Sequence, residues 1–291
     1  MNKGKLVLGS LFILLLVSVI FWFNPNDQKL VMYFCDVGQG DSIYIRFPNG
    51  DDMLVDGGPG NKVLDCLAES MPFYDRHINV VVLTHPQKDH LGGLVPVIQR
   101  YSLDYYVSTP VGNNTDSYKQ LKKLIEDKGI TVKNLYAGSQ IQFDTVLFKL
   151  FWPEKNWMAT NVLGASTTTS DLNDFSVMGI LEYGNFQAVL TGDGDIRIQD
   201  NILNNHLIDN DIQDIEVLKV PHHGSKTAMT DQFLNKIKPK LAVIMVGKNS
   251  YGHPSPEIIE RLVKIGTQVK RTDIEGTIKI QSDGVNWTVG H

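Results

Sequence analysis

The six residues 85–90, His-Pro-Gln-Lys-Asp-His, are the feature that most constrains how this chain folds. They follow an apolar run at 78–84, whose valines and isoleucine favour a buried β-strand. Residues 91–94, Leu-Gly-Gly-Leu, then lead into a predicted helix. Two imidazoles and a carboxylate are ligands that first-row metal ions prefer. A solvated turn is the alternative for this motif alone, but the rest of the chain favours a metal site between a strand and a helix.

Other loops that carry histidine or aspartate also follow strand-like runs. Pro-His-His-Gly-Ser at 221–225 follows one such run, and a loop that contains His253 follows another. Gly192 and Asp193 end a third run, and Asp56 ends a fourth. The glycines allow the backbone to approach a metal or a phosphate closely. We therefore expect these side chains to meet along one edge of the fold, since the joint pattern favours a site over unrelated turns.

Strand-like and helix-like segments alternate from residue 28 onward, without a second linker or an obvious repeat. Short apolar runs predict the strands, and apolar residues at helical spacing predict the helices. Strands in two groups, each followed by helices, imply an α/β four-layer αββα sandwich of two mixed sheets with helices outside. Strands are predicted at 30–35, 42–47, 53–55, 78–84, 131–135, 146–152, 175–183, 186–191, 216–220, 241–246, 277–280 and 285–289. Helices are predicted at 61–70, 117–128, 196–204, 231–237 and 256–265.

The N-terminus has the composition of a membrane anchor. Lys3 and Lys5 precede an apolar stretch at 6–23, which as a helix would be about 27 Å long, enough to cross a thin bilayer core. A positive flank stays in the cytoplasm, so the chain after the stretch should lie outside. A cleaved signal peptide is the alternative, but the stretch ends in aromatic residues without an Ala-x-Ala-like site. The predicted organisation is a cytoplasmic N-terminus at 1–5, a transmembrane helix at 6–23, a linker at 24–29 and a hydrolase-like domain at 30–291.

Net charge and cysteine content restrict the function less than the motifs do. The formal net charge of −5 does not indicate a nucleic-acid-binding protein, although a local basic patch would suffice for such binding. Cys35 and Cys66 are the two cysteines, too few for a disulfide scaffold. Cys35 lies in an apolar run that suits a small buried side chain. The sequence leaves open whether the two cysteines pair.

Residues 84–93 resemble the His-x-His-x-Asp-His signature of the metallo-β-lactamase fold superfamily. From about residue 30 to the C-terminus, the chain further resembles the extracytoplasmic lactamase-like domain of the ComEC-type DNA-uptake proteins. Full-length proteins of that type have a pore with many membrane spans, so we expect here the lactamase-like module on a single-span tether. The segments that carry this second resemblance are 34–42, 54–58, 173–176, 190–193, 220–225, 251–254 and 271–277.

The resemblance implies a set of metal ligands. Asp89, His90 and His222 correspond to ligands of one ion, and His85 corresponds to a ligand of a second ion. Asp193 corresponds to a carboxylate that bridges both ions. A divalent cation, zinc or manganese, is therefore the expected cofactor, as one ion or two.

Two more histidines and two departures complete this implied site. His223 and His253 correspond to groups that contact a scissile phosphate or protonate a leaving group. Gln87 stands where the signature has its second histidine, and Asn173 stands where many superfamily members have a histidine. An amide is a poorer ligand than an imidazole, so we expect the His85 ion to be bound more weakly. The departures favour one strong site, or manganese, over two tightly bound zinc ions.

The chemistry that such a site supports is the activation of water for hydrolysis. A bound cation lowers the pKa of coordinated water and polarises the oxygen of the group under attack. Lys88 and Lys226 flank the ligand motifs and would meet the negative charge of a phosphodiester, although each is also consistent with a solvated side chain. Asp56, Gln87 and Asn173 are expected to support the ligands or the phosphate from outside the first coordination sphere.

The expected function is a membrane-tethered, extracytoplasmic, metal-dependent phosphodiesterase, of nuclease type, that acts on DNA. A separate membrane channel protein is a candidate partner. One alternative keeps the chemistry but changes the substrate to an envelope phosphodiester, such as teichoic-acid phosphocholine, or to a small nucleotide. Another alternative is a non-catalytic binding module, in which Gln87 marks a degenerate metal site.

The topology yields the first testable prediction. Lys3 and Lys5 should hold the N-terminus inside and leave the hydrolase-like domain attached outside. Protease added to intact cells or protoplasts should therefore digest the domain, as followed by an antibody against its C-terminal part. Complete protection of the domain would contradict this orientation, and its release into the medium would instead indicate a cleaved signal peptide.

Overall fold

The computed structural model describes residues 29–162, 168–208, 212 and 214–290. The predicted transmembrane helix at 6–23 lies outside these residues. Inside them, no helix is both long enough and apolar enough to pass through a bilayer.

Strands and helices alternate along the chain much as the apolar pattern predicts. The strands in the described residues are β1 (Leu30–Phe34), β2 (Ile43–Arg46), β3 (Asp52–Val55), β4 (His77–Val82), β5 (Ser102–Ser108), β6 (Thr131–Asn134), β7 (Gln140–Phe143), β8 (Val146–Trp152), β9 (Met178–Tyr183), β10 (Phe186–Leu190), β11 (Val217–Lys219), β12 (Leu241–Ile244), β13 (Gln268–Arg271), β14 (Ile278–Ser282) and β15 (Trp287–Gly290). The α-helices are α1 (Lys62–Ser70), α2 (Lys88–Leu91), α3 (Leu94–Arg100), α4 (Asp116–Asp127), α5 (Lys155–Asn161), α6 (Ile196–Asn204), α7 (Asp231–Ile237), α8 (Pro256–Lys264) and α9 (Thr272–Glu275). Short 3-10 helices span Leu172–Phe175 and Pro221–Gly224.

The strands form two mixed sheets. The first sheet has the order β15-β14-β1-β2-β3-β4-β5-β6, and the second has the order β13-β12-β11-β10-β9-β8-β7. In the first sheet β3 to β6 are parallel, and the remaining neighbours are antiparallel. In the second sheet β10 to β13 are parallel, and the remaining neighbours are antiparallel. The prediction of two mixed sheets is therefore confirmed.

Three apolar layers hold the two sheets and their helices together. Residues such as Phe34 of the first sheet and Leu181 of the second are buried against each other's sheet in the central layer. A second layer packs α1, α3 and α4 on the outer face of the first sheet, as at Leu67. A third layer packs α6, α7 and α8 on the outer face of the second sheet, as at Phe233. The order of layers is helix, sheet, sheet, helix, as predicted.

The sequence analysis missed strands whose polar residues hide the apolar pattern. β7 and β13 are the two edge strands of the second sheet, and each has one neighbouring strand. Edge strands expose polar side chains to solvent, so their apolar periodicity is weak. β5 was also missed, because several of its residues are exposed. The strand expected at 175–183 begins later, at Met178, because residues up to Phe175 form a 3-10 helix.

Cys35 and Cys66 form a disulfide bond, a point that the sequence left open. Their Cα atoms are 5.8 Å apart, within the usual range for such bonds. Cys35 follows β1 and Cys66 lies in α1, so the bond attaches the outer helix layer to the first sheet. The structure is thus consistent with an oxidising compartment.

The disulfide yields a stability prediction. It closes a loop with a sequence separation of 31 residues, and a loop of that length is expected to add about 3–4 kcal/mol to the free energy of unfolding. Reduction should therefore lower the denaturant midpoint of the wild type. The double variant Cys35→Ala/Cys66→Ala is the matched control, because its midpoint should already be low and should not respond to reductant. A wild-type midpoint that reductant leaves unchanged would contradict a stabilising disulfide.

Candidate metal centre

The candidate site lies where strands of both sheets end. β3 and β4 are parallel neighbours in the first sheet, and β10, β11 and β12 are parallel neighbours in the second. The loops at the carboxyl ends of such strands are the usual position of ligand sites in α/β folds. The structure brings together at this edge Asp41, Asp56, His85, Asp89, His90, Asp193, His222, His223 and His253.

Four of these side chains form a compact group of possible metal ligands. Asp89, His90, Asp193 and His223 each offer one ligand atom, and these atoms lie within 4.8 Å of one another. The Oδ2 atom of Asp193 is 3.3 Å from His90 Nε2 and 3.3 Å from His223 Nε2. The Oδ2 atom of Asp89 is 3.4 Å from His223 Nε2. We call these four residues the four-donor group.

The four-donor group fits a divalent cation. The Nε2 atoms of His90 and His223 are buried and make no hydrogen bond with the described residues. Buried polar atoms almost always have a partner, so two unsatisfied nitrogens that face the same carboxylates require an explanation. Two imidazoles and two carboxylates form a donor set that zinc or manganese accepts.

Hydrogen bonds from outside the group orient both imidazoles. Asp56 Oδ2 accepts from His90 Nδ1 at 2.8 Å and from Thr84 Oγ1 at 2.7 Å. The backbone carbonyl of Met245 accepts from His223 Nδ1 at 2.9 Å. Because each Nδ1 is occupied as a donor, each Nε2 is left to act as a ligand. Such outer partners are typical of histidines that hold metal ions.

The buried charges shift the pKa values of the group strongly. Burial disfavours the charged form of His90, but the carboxylates of Asp193, Asp56 and Asp89 outweigh it and raise its pKa well above the usual range. The same balance of burial against carboxylates raises the pKa of His223. Burial also opposes ionisation of Asp193, but His223 and His90 lower its pKa well below the usual range. Without a bound cation, the two histidines therefore carry positive charge opposite ionised carboxylates.

The geometry places His223, rather than His222, among the four possible ligands. The sequence analysis assigned His222 to the ion and placed His223 outside the first coordination sphere, whereas His223 belongs to the four-donor group. His222 points elsewhere: its Nδ1 is 3.5 Å from Asp195 Oδ2, and its Nε2 is 3.3 Å from Asn173 Nδ2. Both histidines have positive φ angles, 48° and 53°, which turn the two rings in directions that strand spacing does not predict.

His85 lies beside the four-donor group but is not part of it. It is fully buried, and its ring centroid is 4.1 Å from that of His90. Its Nδ1 lies 3.1 Å from Thr84 Oγ1 and 3.3 Å from Ser176 Oγ, and its Nε2 lies 3.3 Å from Gln87 Oε1. Burial and the neighbouring His90 lower its pKa to about 4. His85 is therefore neutral and already partnered. The weaker second ion expected at His85 remains a prediction.

The other predicted residues divide between the cavity and the surface. Asp89, Asp193 and His223 line a cavity of about 570 Å³. The same cavity is lined by Lys88, Gln87, Asn173, His222, His253 and the exposed Tyr251. Lys226 lines a different cavity, near Arg261, so the structure does not bring it to the four-donor group. Asp56 is fully buried behind His90.

Three residues near the group were missed in the sequence analysis. Asp41 lies 3.8 Å from His90 and 3.3 Å from His223, in each case measured to Nδ1. Lys219 is fully buried and contacts the carboxylates of Asp41 and Asp193. Its signal in the sequence was a lysine inside the apolar run at 217–220. Asp195, which faces His222, gave no comparable signal.

Comparisons with known proteins agree with the fold. A sequence model of the Metallo-beta-lactamase superfamily matches residues 35–248. The chain is 25% identical over 268 residues to ComE operon protein 3 of Bacillus subtilis (strain 168), covering 84% of this chain and 32% of that protein. It is 25% identical over 275 residues to Recombination protein 2 of Haemophilus influenzae, covering 92% of this chain and 31% of that protein. The predicted resemblance to competence proteins is therefore confirmed.

The two matches cover most of this chain, which spans about a third of the length of the two relatives. Among solved structures, the metallo-beta-lactamase fold protein YhfI from Bacillus subtilis has a TM-score of 0.56 and 11% sequence identity, covering 87% of this chain and 100% of that chain. A likeness at this identity concerns the fold alone.

The exchanged histidines yield a prediction with a built-in control. His223→Ala removes one of the four donors and should weaken Mn²⁺ binding by at least about tenfold, since even outer-sphere losses cost 10–100-fold. His222→Ala removes the neighbouring histidine and leaves the four-donor group intact, so its affinity should stay within about threefold of wild type. Isothermal titration with Mn²⁺ measures both values. A larger loss in His222→Ala than in His223→Ala would restore the assignment made from the sequence.

Proposed function

Because the chain belongs to the metallo-β-lactamase superfamily, we propose that it is a metal-dependent phosphodiesterase that cleaves DNA outside the cytoplasmic membrane. The observation that carries the proposal is the four-donor group, which lies at the carboxyl ends of strands from both sheets. Three of its members, Asp89, Asp193 and His223, line an accessible cavity. A non-catalytic module has no physical need for two buried, unsatisfied imidazole nitrogens that face two carboxylates.

All four residues of the group would bind the same ion. His90 and His223 would bind a divalent ion through Nε2, and Asp89 and Asp193 would bind it through Oδ2. Such an ion supplies the charge that activates water and polarises a phosphoryl oxygen. Asp56 would keep the His90 ring in its position, because its carboxylate accepts the proton on Nδ1.

The cavity offers contacts for a phosphodiester beside the four-donor group. Lys88 is exposed at the cavity and would attract a phosphate by its charge. His253 Nδ1 is buried without a hydrogen-bond partner in the described residues, so it is available to a phosphate oxygen or a leaving group. Burial, together with His222 and His223, lowers the pKa of His253, so this ring is neutral near pH 7.

DNA is the proposed substrate for two reasons. The relatives are named as a ComE operon protein and a recombination protein, and another relative is named Competence protein ComA. In addition, Tyr251 is 74% exposed and lines the cavity, where its ring offers a stacking surface for an unpaired base. The activities of those longer proteins are their own, so the DNA substrate is a proposal for this chain.

A smaller phosphodiester is the second candidate substrate. Among the described lysines and arginines, Lys88 is the one that lines the cavity. A long polyanion usually meets several cations along its path, whereas a small or envelope phosphodiester needs few. The formal net charge of −5 favours this second candidate in the same way.

Location and partners belong to the proposal as well. Lys3, Lys5 and the apolar residues 6–23 support a membrane tether with the catalytic domain outside. The disulfide between Cys35 and Cys66 supports the same compartment. A separate membrane channel protein is the proposed partner, by resemblance to the competence proteins.

The decisive experiment uses the full 291-residue chain, purified in a mild detergent. It is assayed with Mn²⁺ or Zn²⁺ on single-stranded DNA and on bis-nitrophenyl phosphate, with and without a chelator. Chelator-sensitive cleavage of both substrates supports the proposed nuclease. Cleavage of the small diester alone favours the second candidate, and the absence of both activities and of bound metal would leave a binding module.

Asp193 yields the sharpest activity prediction. Asp193→Ala removes a carboxylate that faces both metal-binding imidazoles, so hydrolysis should fall by at least about a hundredfold. Asp231→Ala is the control, because Asp231 is exposed and pairs with Arg261 away from the group. Far-ultraviolet circular dichroism checks that both variants are folded. Activity of Asp193→Ala within threefold of wild type would mean that Asp193 is not a ligand.

A further inference from the structure

A lysine is buried inside the proposed metal centre. Lys219, the last residue of β11, is fully buried, and its Nζ atom contacts three oxygens. These oxygens are Asp41 Oδ2, Asp193 Oδ1 at 3.4 Å and the carbonyl of Gly192 at 2.6 Å. An ammonium group has three N–H donors, so the three oxygens satisfy it completely. Three oxygens from two carboxylates and a carbonyl also resemble the surroundings of a small cation.

The two oxygens of Asp193 face different partners. Oδ2 faces the Nε2 atoms of His90 and His223 at 3.3 Å, where an ion would lie. Oδ1 faces Lys219 Nζ. A carboxylate that bridges two metal ions gives one oxygen to each of them. Here the second oxygen is already occupied by an ammonium group that belongs to the protein.

The side chain expected to bind a second ion is occupied too. His85 contacts Ser176, Thr84 and Gln87 through its two ring nitrogens. It thus differs from His90 and His223, whose Nε2 atoms have no hydrogen-bond partner in the described residues. The unsatisfied Nε2 atoms of His90 and His223 therefore face Oδ2 of Asp193, the oxygen that does not contact Lys219.

Charge balance gives Lys219 a specific role. Four carboxylates, those of Asp41, Asp56, Asp89 and Asp193, surround the centre together with one lysine. Without the lysine, two divalent ions and neutral imidazoles would neutralise the four carboxylates. The ammonium therefore supplies part of the positive charge that a second ion would otherwise bring to these buried carboxylates.

We propose that the Lys219 ammonium takes the place of a second metal ion and limits the centre to one divalent cation. The inference rests on the proposed metal site but not on the identity of the substrate. Lys219 is thus a positioning residue, which fixes Asp193 from one side while the ion is bound on the other.

The test counts metal ions and requires no substrate. The full chain in detergent is titrated with Mn²⁺, the bound metal is measured after equilibrium dialysis, and electron paramagnetic resonance distinguishes an isolated ion from a coupled pair. The wild type should bind one ion with the spectrum of isolated Mn²⁺. Lys219→Ala removes the ammonium and the end of the side chain, so a second ion should enter the vacated three-oxygen pocket and couple to the first.

Lys240→Ala is the matched control. Lys240 pairs with the carboxylate of Glu216 and is more exposed, so this variant should still bind one ion. Two ions in the wild type, or one ion in Lys219→Ala, would overturn the inference and leave the proposed hydrolase standing. A wild type that binds no divalent ion would overturn both.

A second variant decides the matter if Lys219→Ala does not fold. Lys219→Ser also removes the ammonium and shortens the side chain, and its hydroxyl offers an oxygen to the vacated pocket. A second, coupled ion is therefore expected in this variant too. A single isolated ion in folded Lys219→Ser would overturn the inference.

Discussion

The Asp193 carboxylate is the interaction on which the rest of the centre depends. It is 1% exposed, and its two oxygens contact His90, His223 and Lys219. An isolated carboxylate in such a position would be strongly destabilising, so its cationic partners are a condition for its burial. The backbone turn at Gly192, directly before Asp193, is sterically constrained. Gly192 has a φ of 48°, and a Cβ atom there would lie 2.9 Å from the Cβ of Thr84.

The two sheets supply the rigidity that this buried charge requires. β10 and β11 are parallel neighbours, and the loops that follow them carry Asp193 and His223. In the other sheet, β4 leads to the short helix α2, which carries His90. The apolar layer between the sheets sets the distance across which these side chains meet. A buried ion pair contributes little to stability by itself. The apolar core, which lies apart from the charged centre, therefore supplies the stability that holds the centre together.

The predictable part of this protein is the part encoded by local pattern. Apolar runs marked the central strands, and loops with histidine or aspartate after those runs marked the ligand edge. The local pattern does not distinguish His222 from His223. A positive φ at both positions decides which ring faces the proposed ion, and the spacing of residues in the sequence does not predict these φ angles. Lys219 shows a second limit. Its role depends on Asp41, which comes from a loop after β1 in the other sheet, so sequence neighbours give no indication of the contact.

The ion-free and ion-bound states of this centre differ in where the positive charge lies. Without an ion, the raised pKa values of His90 and His223 give two imidazolium groups, which together with Lys219 balance most of the carboxylate charge. A bound ion requires the same Nε2 atoms without their protons, so ion and protons compete directly. A higher pH removes the competing protons and strengthens binding of the ion, while Lys219 keeps its charge in both states, since Asp41 and Asp193 overcome the effect of burial and raise its pKa.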